Sequence, residues 1–223
     1  MGQIYLVRHG QASLGKDNYD QLSALGIRQS VRLGEYFKES ALTFEAAYVG
    51  TLVRQQETLK GLIQGFGAND LATSNQPAFN EYDSAAVIKA VHEHEIPNPS
   101  TKEGYKEFFK LLRLGLLSWM QGKTEPVGMP SFKEFAGNLE LALNHIRTHH
   151  TGNVIVVSSG GPIATLISHL LGAGDIGRVE MNLRLRNTCV SELHYTPTRA
   201  SVISFNLLSH LSLPTYADWI TYA

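Results

Sequence analysis

Asn153-Val154-Ile155-Val156-Val157-Ser158-Ser159-Gly160-Gly161-Pro162 decides the fold class. Its first half is a continuous apolar, β-branched run that reads as a buried strand. Gly160, Gly161 and Pro162 then open a helix with Ile163, Leu166, Ile167, Leu170 and Leu171 on its buried face, and Gly172 ends it. A strand that passes into a helix in this way is the repeating unit of a parallel sheet with helical crossovers.

The same rhythm is present at the other end of the chain. Ile4-Tyr5-Leu6-Val7 reads as a buried strand that stops at Arg8-His9-Gly10. A helix is predicted from Ser23 to about Lys38, a strand at Ala46-Ala47-Tyr48-Val49, and a second helix over 51–65. After a loop, Ala78-Phe79-Asn80-Glu81 reads as a strand end. Ser100-Thr101-Lys102-Glu103 and Ser131-Phe132-Lys133-Glu134 are capping-box patterns. Behind the first, Tyr105, Phe109, Leu112, Leu116 and Met120 form a helical stripe; behind the second, Phe132, Phe135, Leu139, Ala142 and Ile146 do so. Residues 84–150 are therefore read as a mostly helical insertion covering one side of the sheet. Cys189 to Tyr195 and Ser201 to Phe205, separated by Thr196-Pro197-Thr198-Arg199, read as an antiparallel pair, so the sheet is expected to be mixed though mainly parallel. The predicted architecture is α/β, a three-layer α/β/α sandwich in a single domain spanning 1–223.

Composition narrows the function. With 43% hydrophobic residues the 223-residue chain is an ordinary globular sequence, and disorder is excluded. Charged residues make up 17%, against a norm of about 25%, and the net charge is −1, so no broad basic surface serves nucleic acid. Anionic ligands must be bound locally. Met1-Gly2-Gln3-Ile4 shows no basic segment ahead of an apolar stretch, and nowhere do eighteen apolar residues run together, which points to a cytoplasmic protein without a membrane span. The single cysteine, Cys189, reads as a small buried residue. Low charge content is compatible with a homodimer.

Arg8-His9-Gly10 directly follows a buried strand, the position at which open α/β sheets bind ligands. His can act as a nucleophile, Arg presents a planar fork to phosphate oxygens, and Gly permits close backbone approach. A structural His beside a surface Arg gives the same tripeptide. For the other histidines, His92 and His94 around Glu93 and the adjacent His149-His150 do not supply three or four ligands at metal spacing, and they read as solvated helix residues. Gly61, Gly65 and Gly67 do not follow a strand, so no dinucleotide fingerprint forms.

Ile4-Tyr5-Leu6-Val7-Arg8-His9-Gly10-Gln11-Ala12 resembles the opening signature of the histidine phosphatase superfamily, the phosphoglycerate mutase-like proteins. Gln21-Leu22-Ser23-Ala24-Leu25-Gly26 with Gln29, and Gly50-Thr51-Leu52-Val53-Arg54-Gln55-Gln56-Glu57-Thr58, resemble the segments that follow in that family. Arg186-Asn187-Thr188 and Ser204-Phe205-Asn206 with His210-Leu211 resemble those that close its core. The resemblance implies that His9 becomes a phosphohistidine, that Arg8 and Arg54 hold the phosphoryl oxygens, and that Glu81 is the acid for the leaving oxygen, with Asp83 its near rival. Gln11 and Ser13 follow the motif and either add hydrogen bonds to substrate or are ordinary loop polarity. An asparagine that some members carry six residues after the nucleophile is Gly15 here, with Asn18 as a substitute to consider. The resemblance gives His210 a structural role. No metal and no cofactor are implied.

One departure matters most. Where the resembled family has a second histidine, this chain has Ser159, which can donate one neutral hydrogen bond but carries no charge. Loss of one such transition-state donor can cost about 100- to 1,000-fold in rate. Ser159 and Gly160, at the start of a helix with Pro162 at or near its first position, could still bind phosphate through free N–H groups. Ser159 as a hydrolase nucleophile would need glycine two residues earlier, where Val157 stands. The resemblance therefore implies a phosphatase acting on a small phosphomonoester through His9, with a catalytically weak binder of phosphorylated ligands as the alternative and a phosphoglycerate mutase behind both.

Overall fold

The computed structural model describes residues 2–13, 20–99 and 101–222. Its centre is a six-stranded sheet formed by β1 (Gly2–Arg8), β2 (Ala46–Val49), β3 (Thr73–Asn75), β4 (Val154–Ser158), β5 (Val190–Thr196) and β6 (Arg199–Leu207), in the order β3-β2-β4-β1-β5-β6. β1 lies parallel to β4, with Ile4 opposite Val154 and Arg8 opposite Ser158, and antiparallel to β5. β2 is parallel to both β3 and β4, and β5 and β6 form the expected antiparallel pair. The mixed, mainly parallel sheet follows from buried apolar runs joined by helices on the β1–β4 side and by a tight turn at Pro197 on the other.

Helices cover both faces. On one, α1 (Ala24–Glu39) and α2 (Val53–Phe66) place Leu33, Phe37, Leu59 and Leu62 against Tyr5, Val7, Val49, Ile155 and Val157. On the other, α5 (Phe132–His149) and α6 (Gly160–Leu171) place Leu139, Ile146, Ile163 and Ile167 against Ile4, Leu6, Val154 and Val156. Side chains alternate across each strand, so a strand buried on both faces must be apolar throughout, as Val154–Val157 is. The Cys189 thiol lies in this core, where burial pushes its pKa up to about 11.

Several expectations need correction. The helical stretch after residue 84 does not lie on the sheet as a whole. Only α5 does; α3 (Ser84–Lys89), α4 (Lys102–Met120) and a further helix, α7 (Asp175–Arg184), gather a separate cluster around Val87, Ile88, Leu112, Leu116, Trp119 and Val179. The expected strand end at Ala78–Glu81 is instead a 3₁₀ turn over Pro77–Phe79, and the strand comes earlier, at β3. Helix α4 is capped by Thr101, whose hydroxyl accepts from Gly104 N, and Ser100 lies outside the described residues. The Ser131–Glu134 capping box on α5 is formed in both directions. His92 and His94 follow α3 in a loop, not in a helix. His150 is held by Glu45 and Tyr48 at 2.8 Å each, so it ties the start of β2 to the end of α5. Among the described residues no helix is long and apolar enough to cross a membrane.

Candidate active site

β1 and β4 run side by side and end together, at Arg8 and Ser158. His9 continues the pairing, donating its N–H to Ser158 O (2.9 Å), while its carbonyl accepts from Asn187 Nδ2 (3.2 Å) and Thr188 N (3.3 Å). The backbone of His9 is thus fixed by three hydrogen bonds. Gly10 carries two duties: its N–H donates to Thr58 Oγ1 (2.9 Å), and a Cβ there would run into the Gly26 carbonyl of α1. Its small size therefore serves the packing of the loop on α1, where the sequence suggested close approach to a ligand.

His9 is 4% exposed. Nδ1 lies 2.8 Å from Gly10 O, which can only accept, so Nδ1 carries the proton in the neutral ring. Nε2 is left with its lone pair, and Arg54 Nε donates to it at 3.3 Å. Burial, then the charges of Arg8 and Arg54, hold the imidazole well below the usual histidine range. His9 is thus a neutral imidazole whose Nε2 lone pair faces a guanidinium.

Arg54 sits in the first turn of α2, where a bound anion also feels the helix N-terminus. Asp20 engages it: Arg54 Nη1 donates to Asp20 Oδ1 at 2.5 Å, and Asp20 Oδ2 accepts from Val53 N. Sequence reasoning missed this partner, because nothing local links a loop aspartate to an arginine thirty-four residues on. Arg8 is likewise occupied. Its Nη1 donates to the carbonyls of Leu185 and Tyr222, so the second proposed clamp is also a strut for the C-terminal segment. Both arginines still place positive charge on His9 and on Glu81.

Glu81 approaches from the loop after the 3₁₀ turn. Its carboxylate accepts from Gly161 N at 3.0 and 3.2 Å and from Tyr82 N at 3.3 Å. Burial raises its pKa, outweighing the opposite pull of Arg54, Arg8 and the two N–H groups. Its rival Asp83 is exposed and caps α3, accepting from Ala85 N and Ala86 N. The two carboxylates are therefore separated by environment: one enclosed beside the arginines, the other spent on a helix end.

The start of α6 differs from expectation. Pro162 is its third residue, and the first turn faces a carboxyl group that the chain itself supplies, that of Glu81. A Cβ on Gly161 would strike the Tyr82 ring and the Glu81 carboxyl, and one on Gly160 would displace the Asn182 side chain, so a larger residue at either position would shift the groups packed on this turn. Ser159 is fully buried, and its Oγ accepts from Gln55 Nε2 at 2.8 Å. Gln55, also fully buried, donates in addition to Phe79 O. Ser159 is therefore a sealed hydroxyl joined to α2, and neither a hydrolase nucleophile nor an open phosphate ligand. Gln11 likewise belongs to the scaffold: its Oε1 accepts from Ser23 Oγ, its N–H donates to Gln29, and Ser13 is buried with its N–H on Gln21 O. Gly15 and Asn18 lie outside the described residues. His210 is buried against Thr188 Oγ1 (2.9 Å), away from the His9 ring, and burial lowers its pKa to about 3, in keeping with a structural role. Among the described residues no group of three or more His, Cys, Asp or Glu could hold a metal ion.

The Gln55–Ser159 pair makes a sharp prediction. Ser159→His must place an imidazole where Gln55 lies, and overpacking of this kind costs about 1–3 kcal/mol. Urea unfolding should show that loss in Ser159→His and its partial recovery in Gln55→Ala/Ser159→His. Equal stability of Ser159→His and wild type would show that the space is free.

A family model, the histidine phosphatase superfamily (branch 1), matches residues 4–208. A curated 2,3-bisphosphoglycerate-dependent phosphoglycerate mutase from Rhizobium etli is 36% identical over 88 residues, 37% of this chain and 42% of the mutase, so the match spans under half the length of that relative. Among solved structures, a phosphoserine phosphatase from Entamoeba histolytica in complex with 3-phosphoglyceric acid is 22% identical at a TM-score of 0.66, covering 95% of this chain and 100% of that one. A phosphoglycerate mutase from Bacillus anthracis is 20% identical at a TM-score of 0.65, covering 94% of each. At these identities the structural likeness is one of fold.

Proposed function

Because the chain belongs to the histidine phosphatase superfamily (branch 1), we propose that it hydrolyses phosphomonoesters through a phosphohistidine on His9. The observation that carries this reading is the fixed tautomer of His9, whose Nδ1–H is held by Gly10 O while Nε2 points its lone pair at Arg54. Nε2 attacks phosphorus, and the bond from phosphorus to the ester oxygen breaks. The proton that the leaving oxygen needs comes from Glu81, which enclosure keeps protonated above the ordinary carboxylate range. Water then attacks phosphorus, Glu81 takes its proton, and the P–Nε2 bond breaks to return neutral His9 and inorganic phosphate. Arg54 and Arg8 balance charge on the oxygens in both steps. Every role is filled by a side chain. For Arg54 to serve as a clamp, phosphate must compete with Asp20 for Nη1.

We read 1–223 as one domain with α3 to α5 inserted between β3 and β4. A second reading, binding without efficient turnover, is favoured by Ser159, which is neutral and sealed against Gln55. The two separate in one experiment. Protein mixed with p-nitrophenyl phosphate and quenched in base should carry one added phosphoryl group on the peptide containing His9, detected by mass spectrometry. Tight phosphate binding with no such adduct and no p-nitrophenol release would establish the binder.

A further inference from the structure

A cleft of about 690 Å³ opens beside Glu81, between the segment 76–83 and helix α5. Its position follows from the chemistry of in-line displacement. The leaving oxygen departs on the side of phosphorus opposite Nε2, and the acid that protonates it must touch that oxygen. Glu81 is that acid in the reading above, on which this inference rests, and Glu81 lines the cleft. Of the residues given roles in the reaction above, Glu81 is the one that lines the cleft, and it would carry the body of the alcohol from the reacting centre into that space.

The walls specify what fits. Tyr82, Met129, Phe135 and Leu141 supply apolar and aromatic surface, whereas Asn80 and Asn138 supply uncharged polar groups. Glu81 and Asp83 are acidic, and neither lysine nor arginine lines the cleft. A carboxylate or second phosphate placed there would meet Asp83, and the one lining side chain that can take a positive charge is His145, near the far end of α5. We infer that this cleft is the leaving-group subsite, and that the substrate is a phosphomonoester of an uncharged alcohol with an aromatic or apolar body. Phosphoglycerates and bisphosphates, whose alcohol portion carries a further anionic group, are discriminated against.

Equilibrium binding of phosphonates tests this without turnover. Calorimetry on the wild-type protein compares methylphosphonate, phenylphosphonate and phosphonoacetate. Phenylphosphonate should bind at least about tenfold more tightly than methylphosphonate, as expected for burial of a ring on apolar walls, and phosphonoacetate no more tightly than methylphosphonate. Leu141 is 67% exposed at the cleft wall, so Leu141→Arg can be introduced without disturbing the core. It should reduce the phenyl advantage to less than about threefold and tighten phosphonoacetate binding. An absent phenyl advantage, one that survives unchanged in Leu141→Arg, or a preference of the wild type for phosphonoacetate would each overturn the inference. A phenyl preference lost in Leu141→Arg without hydrolysis of any phosphomonoester would overturn the phosphatase reading and leave the cleft a binding site for the body of a phosphorylated ligand, and hydrolysis without a phenyl preference would overturn the subsite alone. Failure to bind any phosphonate would overturn both.

Discussion

His9→Ala lowers p-nitrophenyl phosphate turnover by at least about 10³-fold, the expected result of removing the atom that forms the covalent intermediate. The residue is enclosed, and among the described residues its ring makes two polar contacts, with Gly10 O and Arg54 Nε. Loss of the ring removes a neutral imidazole that burial and two nearby cations already hold away from protonation. The variant should therefore remain folded, which a thermal melt would check. It should also retain affinity for inorganic phosphate, because both arginines and the first turn of α2 remain. Turnover in His9→Ala equal to that of wild type would mean that a contaminant or another residue performs the reaction.

Glu81→Gln separates substrates by their leaving groups. Glutamine keeps the size of the side chain and an oxygen for Gly161 N, and it removes the transferable proton. For an alkyl phosphate, whose alkoxide leaves poorly, kcat should fall by about 10²- to 10⁴-fold. For p-nitrophenyl phosphate, which leaves as a stable anion, the first step should be far less affected. The pH profile follows from the signs of two shifts. His9 must be neutral to attack, and its pKa is lowered, so the acid limb of kcat/KM lies below the usual histidine range. Glu81 must be protonated to donate, and its pKa is raised, so the alkaline limb lies above the usual carboxylate range. Activity is expected to be highest in mildly acidic solution, with the alkaline limb missing in Glu81→Gln. A profile that rises through pH 8 with a poor leaving group would rule out Glu81 as the acid.

What the sequence makes legible here is whatever is expressed locally. The centres of β1 (Ile4–Val7) and β4 (Val154–Val157) and all of β2 are buried on both faces, and each is a run of apolar residues. β3 escapes this reading because Thr73, Ser74 and Asn75 are exposed at the sheet edge and need no apolar pattern. α7 escapes because it buries only Val179 and Asn182, too little to mark a stripe. In the site, His9 and Arg54 are reached through their motifs. Their partners are set by tertiary contacts that leave no trace in spacing: Asp20 comes from a loop to Arg54, and Leu185 and Tyr222 present carbonyls to Arg8. The fate of Ser159 was hidden for the same reason. Its substitution is visible in the sequence, whereas its burial under Gln55, 104 residues away, is a property of how α2 meets α6.

The place of β1 in the sheet has a consequence for how the protein is made. Of the six strands β1 leaves the ribosome before the others, yet its two neighbours are β4 and β5, which begin at Val154 and Val190. Until those residues have been synthesised, neither edge of β1 has its native partner, and the nascent chain carries an apolar segment with both edges unpaired. The His9 loop waits longer still, since the carbonyl of Tyr222 bonds Arg8 and that of Thr221 bonds Asn187. Pairings this distant in sequence form slowly and expose the chain to aggregation meanwhile. Fragments that stop short of β5 would contain His9, Arg54 and Glu81 and still lack the strand and the C-terminal carbonyls that hold Arg8 and Asn187 in place.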